Sequence, residues 1–120
     1  LALEQHKLSL TDRGIVCTYP LIRGTKYCDT NWLLSGAGDR KMTHINDLID
    51  TGIFIKENEL APKLAVYGHG PSGSLTALAS VFKEPYLFEG VAAHVSLVNL
   101  CANPNFVSEP NMRLNFPFDP

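Results

Sequence analysis

Two hydrophobic periods alternate along this chain, and their order predicts its architecture. Residues 3–12 read as a short amphipathic helix, with Leu3 and Leu10 on one side and Gly14 as its stop after Arg13. Residues 15–22 form a nearly continuous apolar run with β-branched members, the pattern of a strand buried on both faces of a parallel sheet, and Pro20 marks its end. Residues 23–42, rich in Gly, Thr, Asp, Ser and Lys, read as a long loop around Trp32, Leu33 and Leu34, with Trp32 as its anchor. From Thr43 the period becomes helical. Ile45, Leu48, Ile49, Gly52, Ile53 and Lys56 fall at i, i+3/i+4 spacing, which predicts a one-faced helix to about Asn58. Thr43 is its candidate N-cap, and Asp47 is expected in its first turn, where the helix dipole favours a carboxylate.

Leu60-Ala61-Pro62 turns the chain into a second expected strand over residues 63–67. A helix built from Leu75, Ala77, Leu78, Ala79, Val81 and Phe82 is expected from Ser72 or Gly73 to Lys83, its small residues suiting close approach to a sheet. Residues 91–100 read as a third strand. Helix and strand alternate throughout, which implies right-handed crossovers and an α/β fold of parallel strands with flanking helices. Residues 102–120 break the pattern. Pro104, Pro110, Pro117 and Pro120 are interleaved with Asn103, Asn105, Asn111 and Asn115, so regular structure is not expected there. Phe106, Met112, Leu114, Phe116 and Phe118 are nevertheless too apolar for a free linker. The expected division is a domain over residues 1–101 and an irregular tail, 102–120, packing on that domain or on a partner.

Composition narrows the function classes. With 120 residues, 45% hydrophobic, 18% charged and a net charge of −2, the chain is sized for one domain and lacks the basic excess that nucleic acid or an anionic membrane surface would call for. No apolar run approaches the ~20 residues of a membrane span. The cysteines, Cys17, Cys28 and Cys101, are odd in number and show no Cys-x-x-Cys spacing. Cys17 in its apolar run reads as a buried reduced thiol, so a reducing intracellular compartment is expected, cytoplasmic or organellar with the mitochondrion included, rather than secretion. No Asn-x-Ser/Thr sequon occurs. Because the first residue is Leu1 rather than Met, a removed targeting peptide or a longer N-terminal region is expected to precede it.

The chemistry concentrates in Leu64-Ala65-Val66-Tyr67-Gly68-His69-Gly70-Pro71-Ser72-Gly73-Ser74-Leu75. An apolar strand runs into a glycine-rich turn and leaves as a small-residue helix, the layout of a nucleophile elbow, in which a strained turn lifts a serine above the sheet. The spacing departs from Gly-x-Ser-x-Gly. Counted from the strand end, Gly68-x-Gly70-x-Ser72 fills the five positions, so the nucleophile position is Gly70 and the next residue, Pro71, has no N–H for an oxyanion. The other register, Gly70-Pro71-Ser72-Gly73-Ser74, makes Ser72 the nucleophile and Gly73 the oxyanion donor, but requires the strand to end two residues later. His69 reads as a solvent-facing turn residue rather than a base for Ser72.

Other constellations predict no cofactor and no metal. His6, His44, His69 and His94 have no metal-ligand spacing with one another or with the cysteines. His94, within the third apolar run, is expected to be a hydrogen-bonded core histidine; Asp47 and Asp50 read as helix-surface charges. Gly68, Gly70 and Gly73 also fit Gly-x-Gly-x-x-Gly, but without an early β-α-β position or a ribose-binding acid they predict no dinucleotide site.

From about Leu8 to Pro120 the chain resembles the catalytic domain of the prolyl oligopeptidase family of serine peptidases, its oligopeptidase B branch especially. Leu10-Thr11-Asp12-Arg13-Gly14 before a strand and Ile22-Arg23-Gly24 at its end carry the resemblance. Trp32, Lys41, Asn46-Asp47, Pro62-Lys63-Leu64 and Pro85-Tyr86-Leu87-Phe88 follow at similar spacings. The resemblance implies a partial α/β-hydrolase fold, a Ser-Asp-His triad, and cleavage of short peptides after proline or basic residues. It also departs where chemistry is carried: aligned from the strand the nucleophile falls on Gly70, and aligned back from Pro85 it falls on Pro71. Thr25 and Lys26 stand where the family is richer in glycine. The family's triad Asp and His lie downstream of this segment, and its oxyanion tyrosine, its gating propeller and one strand of the sheet lie upstream. An empty slot in the sheet leaves strand edges exposed, so other protein chains are expected to complete the sheet and cover the tail. The expectation is a catalytically inactive relative serving as a structural or interaction subunit of a larger assembly. The alternative is a fragment of an active serine oligopeptidase hydrolysing short peptides with Ser72 as nucleophile.

Overall fold

The computed structural model describes residues 7–96 and residue 99. Its first element, α1 (Leu8–Thr11), is a single turn that stops as anticipated: Gly14 takes a φ of 79° and donates its N–H to the Thr11 carbonyl. Residues 3–6 of the expected helix lie outside the described residues.

Residues 15–22 correct the sequence reading, because they form no strand. A strand exists only when a neighbour takes its N–H and C=O groups, and no described strand lies beside this run. Ile15, Val16, Tyr19 and Leu21 are consequently exposed, and Cys17 is half-buried rather than buried. The end of the run is held by side chains instead. Trp32 donates its indole N–H to the Ile22 carbonyl at 3.0 Å, and Gly24 donates its N–H to the Trp32 carbonyl at 2.8 Å.

The expected loop over 23–42 contains a short helix, α2 (Thr30–Leu34), started by Asp29, whose carboxylate accepts the Trp32 N–H at 2.7 Å. A 3-10 turn, Gly38–Arg40, then runs directly into α3 (Lys41–Glu57). That turn feeds the helix two residues ahead of Thr43, so Thr43 is not an N-cap and Asp47 lies beyond the first turn. The apolar period is otherwise met, with Ile45, Ile49 and Gly52 on the buried face.

Next come β1 (Ala65–His69), α4 (Gly70–Lys83) and β2 (Gly90–His94), a β-α-β unit with parallel strands. Register runs from Ala65 opposite Gly90 to His69 opposite His94. β1 is shifted two residues toward the C-terminus of the expected strand, and α4 begins two residues before Ser72. β2 is shorter than the expected 91–100: Val95 takes a φ of 57°, a left-handed conformation that a β-branched residue rarely adopts and that ends the strand. Residues 97, 98 and 100–120, which include Cys101 and the whole tail 102–120, lie outside the described residues.

The result is a partial α/β fold. α4 packs across both strands, and α3 packs on α4. The buried apolar residues are Ile45 and Ile49 from α3, Ala77 from α4 and Phe88 ahead of β2. Contact between the helices is close because small residues meet there: Ser80 donates its hydroxyl to the Thr76 carbonyl at 2.8 Å and lies 3.4 Å from the Ile45 carbonyl. Gly52 likewise leaves room for Phe88, whose Cζ would be 3.1 Å from an added Cβ. Much apolar surface stays uncovered, since Val16, Phe82 and Tyr86 are 83%, 82% and 98% exposed.

Candidate functional site

β1 ends at His69 and the chain turns at Gly70, whose φ of 73° suits glycine and strains other residues. A Cβ at Gly70 would meet nothing within 4 Å, so the position opens outward from the strand-to-helix turn. Pro71 follows at the start of α4, where its missing N–H and fixed φ suit a helix entry. Gly68 is the opposite case. It is buried, and a Cβ there would overlap the Gly73 carbonyl and Ser74 Cα, so the first turn of α4 rests directly on β1. Ser74 ties this junction: its buried hydroxyl lies 2.9 Å from the His94 carbonyl and 3.1 Å from the Gly68 carbonyl. The backbone thus turns in the Gly68-x-Gly70-x-Ser72 register, with the positive-φ residue at Gly70.

Ser72 sits in the first turn of α4, and its Oγ accepts a hydrogen bond from Lys41 Nζ at 2.5 Å. Lys41 opens α3, and burial lowers its pKa to about 8. At pH 7 it is still mostly an ammonium. Its proton is then donated to Oγ, which withdraws charge from the hydroxyl. Above pH 8 the neutral amine can accept the hydroxyl proton, as in serine–lysine hydrolases. Sequence reasoning missed Lys41 as a partner of Ser72, since 31 residues separate them and only the α3–α4 packing joins them. Gly73 stands opposite Gly68, with its Cβ position 3.8–3.9 Å from the Gly68 backbone.

Arg23 and Asp47 form a second polar centre, which fastens the end of the 15–22 run to α3. The Asp47 carboxylate accepts the Arg23 backbone N–H at 2.9 Å and its guanidinium at 2.5–3.2 Å. Those bonds hold the carboxyl below the usual aspartate range and raise Arg23 in turn. Asp47 is therefore an anchor between segments, not a free helix-surface charge. A groove of about 430 Å³ flanks it, lined by Leu21, Trp32, Asp50 and Phe54 among others, and none of its lining comes from β1 or α4. One turn before Asp47 on α3, His44 is 5% exposed, packed under Gly24 and Gly36, and its Nε2 has no hydrogen-bond partner. Burial, aided by the charge on Lys41, lowers the His44 pKa to about 4.

His94 corrects the expectation of a core histidine. It is exposed at the end of β2, because no layer among the described residues covers that face, and its ring lies against exposed His69 with centroids 5.0 Å apart. The Tyr67 hydroxyl is 3.4 Å from His94 Nδ1. Among the described residues no three His, Cys, Asp or Glu side chains come together as a metal cluster, and no helix is long and apolar enough to cross a membrane.

Compared with known families, the chain matches the model of the prolyl oligopeptidase family over residues 2–111. No curated protein and no solved structure matches it.

Proposed function

The chain belongs to the prolyl oligopeptidase family, and from that premise we propose that it is a catalytically inactive member acting as a structural or interaction subunit of a larger assembly. One observation carries the reading: the residue at the strained strand-to-helix turn is Gly70. The family's serine-peptidase chemistry needs a hydroxyl at that point and an N–H just after it, whereas here the side chain is absent and Pro71 supplies no donor. The subunit role is supported by uncovered apolar side chains, by the run 15–22 without a ladder, and by a two-stranded sheet in which each strand has one edge unpaired among the described residues. Its partners are then other protein chains.

A second reading is favoured by the Lys41–Ser72 contact: a fragment of an active serine oligopeptidase, with Ser72 as nucleophile, Lys41 as base and Gly73 contributing an oxyanion N–H. Intact-mass analysis after incubation with a fluorophosphonate probe separates the two. The inactive reading expects no adduct at pH 7 or at pH 9. Stoichiometric labelling of Ser72, rising through pH 8 and lost in both Ser72→Ala and Lys41→Met, would establish the second reading and end the first.

A further inference from the structure

We propose that His69 and His94, set side by side at the C-terminal ends of the two parallel strands, form an open two-histidine site for a divalent transition-metal ion such as Zn²⁺, with Tyr67 orienting His94. The inference is independent of whether Ser72 reacts.

Three observations support it. First, the strand register makes His69 and His94 direct partners, so their backbones are held by the ladder and the pair needs no loop to bring it together. Second, the spacing fits. A Zn–N bond is about 2.0–2.1 Å and a ring centroid lies about 1.2 Å behind its nitrogen, so two imidazoles on one tetrahedral ion have centroids about 5.2 Å apart. The observed separation is 5.0 Å, with the rings inclined at 47° rather than stacked flat. Third, the Tyr67 hydroxyl at 3.4 Å from Nδ1 can accept that N–H and fix the tautomer that leaves Nε2 for the ion, the role outer partners play at metal-bound histidines. Both rings are exposed, so an ion reaches them without opening the fold. The C-terminal ends of parallel strands are also where α/β folds bind ligands.

With two protein nitrogens and no third His, Cys, Asp or Glu joining them among the described residues, water fills the remaining positions. Affinity is accordingly modest, with a dissociation constant on the order of 10–100 μM at pH 7.5. Calorimetric titration with Zn²⁺ is expected to give one ion per chain in that range. His69→Gln and His94→Gln should each weaken binding by at least about 10-fold, and Tyr67→Phe several-fold. The half-buried Cys17 and the exposed Cys28 stay in every variant, so a thiol site would survive these substitutions. In the unaltered protein, NMR should show the ring resonances of His69 and His94 shifting together as Zn²⁺ is added. Unchanged affinity in the double variant, no binding at 1 mM Zn²⁺, or resonances that do not move would each overturn the proposal.

Discussion

Gly68→Ala should lower stability by about 2–4 kcal/mol, while Gly70→Ala, two residues on, should cost about 1–2 kcal/mol. The atoms around each position account for the difference. At Gly68 the added methyl would overlap the Gly73 carbonyl and lie 2.8 Å from Ser74 Cα. Both are main-chain atoms, so no rotamer change relieves the clash. α4 must lift from β1, which strains the Ser74 contacts to the Gly68 and His94 carbonyls and loosens Ala77, now only 1% exposed. Overpacking of about 1–3 kcal/mol is then joined by loss of the one hydrogen bond that the Ser74 hydroxyl donates between these two carbonyls, worth about 1 kcal/mol. At Gly70 the methyl enters open space, and the only penalty is a positive φ. Urea unfolding followed by far-UV circular dichroism measures both. Equal midpoints for the two variants would show that α4 does not rest on β1 as described.

That contrast also marks how far the sequence was legible. The 3.6-residue period of Ile45, Ile49 and Gly52 located α3, and the apolar run ahead of the glycine turn located β1, because each pattern is set by the element's own buried face. The glycine-rich turn after β1 was legible too, and Gly70 carries a positive φ there, although the spacing alone left two registers open. Contacts between distant segments were not legible. The run 15–22 has the composition of a buried strand, yet a strand is a property of a pair, and its partner is not among the described residues. Asp47 looked like a helix-start charge until α3 began at Lys41 and Arg23 closed on its carboxylate. Lys41 with Ser72, and His69 with His94, are made by helix packing and by strand register, which no local spacing encodes. His44 carried no signal at all, since its burial depends on two glycines, Gly24 and Gly36, lying over its ring.

His44 makes the fold acid-labile in a window set by its own pKa values. Its folded pKa is about 4 against an ordinary 6.5, because charging the ring would place a cation beneath Gly24 and Gly36 with no acceptor at Nε2 and with Lys41 nearby. Above pH 6.5 the ring is neutral in both states, and its contribution does not change with pH. Between pH 6.5 and 4 the unfolded chain binds the proton and the folded chain does not, so stability falls as pH falls. Across that window the loss is about 3 kcal/mol, after which both states are protonated and the slope from this group vanishes. Asp47, whose carboxyl is depressed by Arg23, adds its own loss as pH falls through the ordinary aspartate range and below, so it joins the His44 decline only at the acid end of this window. Urea unfolding at pH 7, 6, 5 and 4 should show the decline, and His44→Gln should flatten it whatever that variant does to stability at pH 7. The same claim has a readout that needs no substitution. In an NMR titration of the folded protein the His44 ring should change protonation near pH 4. A midpoint near 6.5 would mean that the ring is solvated, and that Gly24 and Gly36 do not seal it.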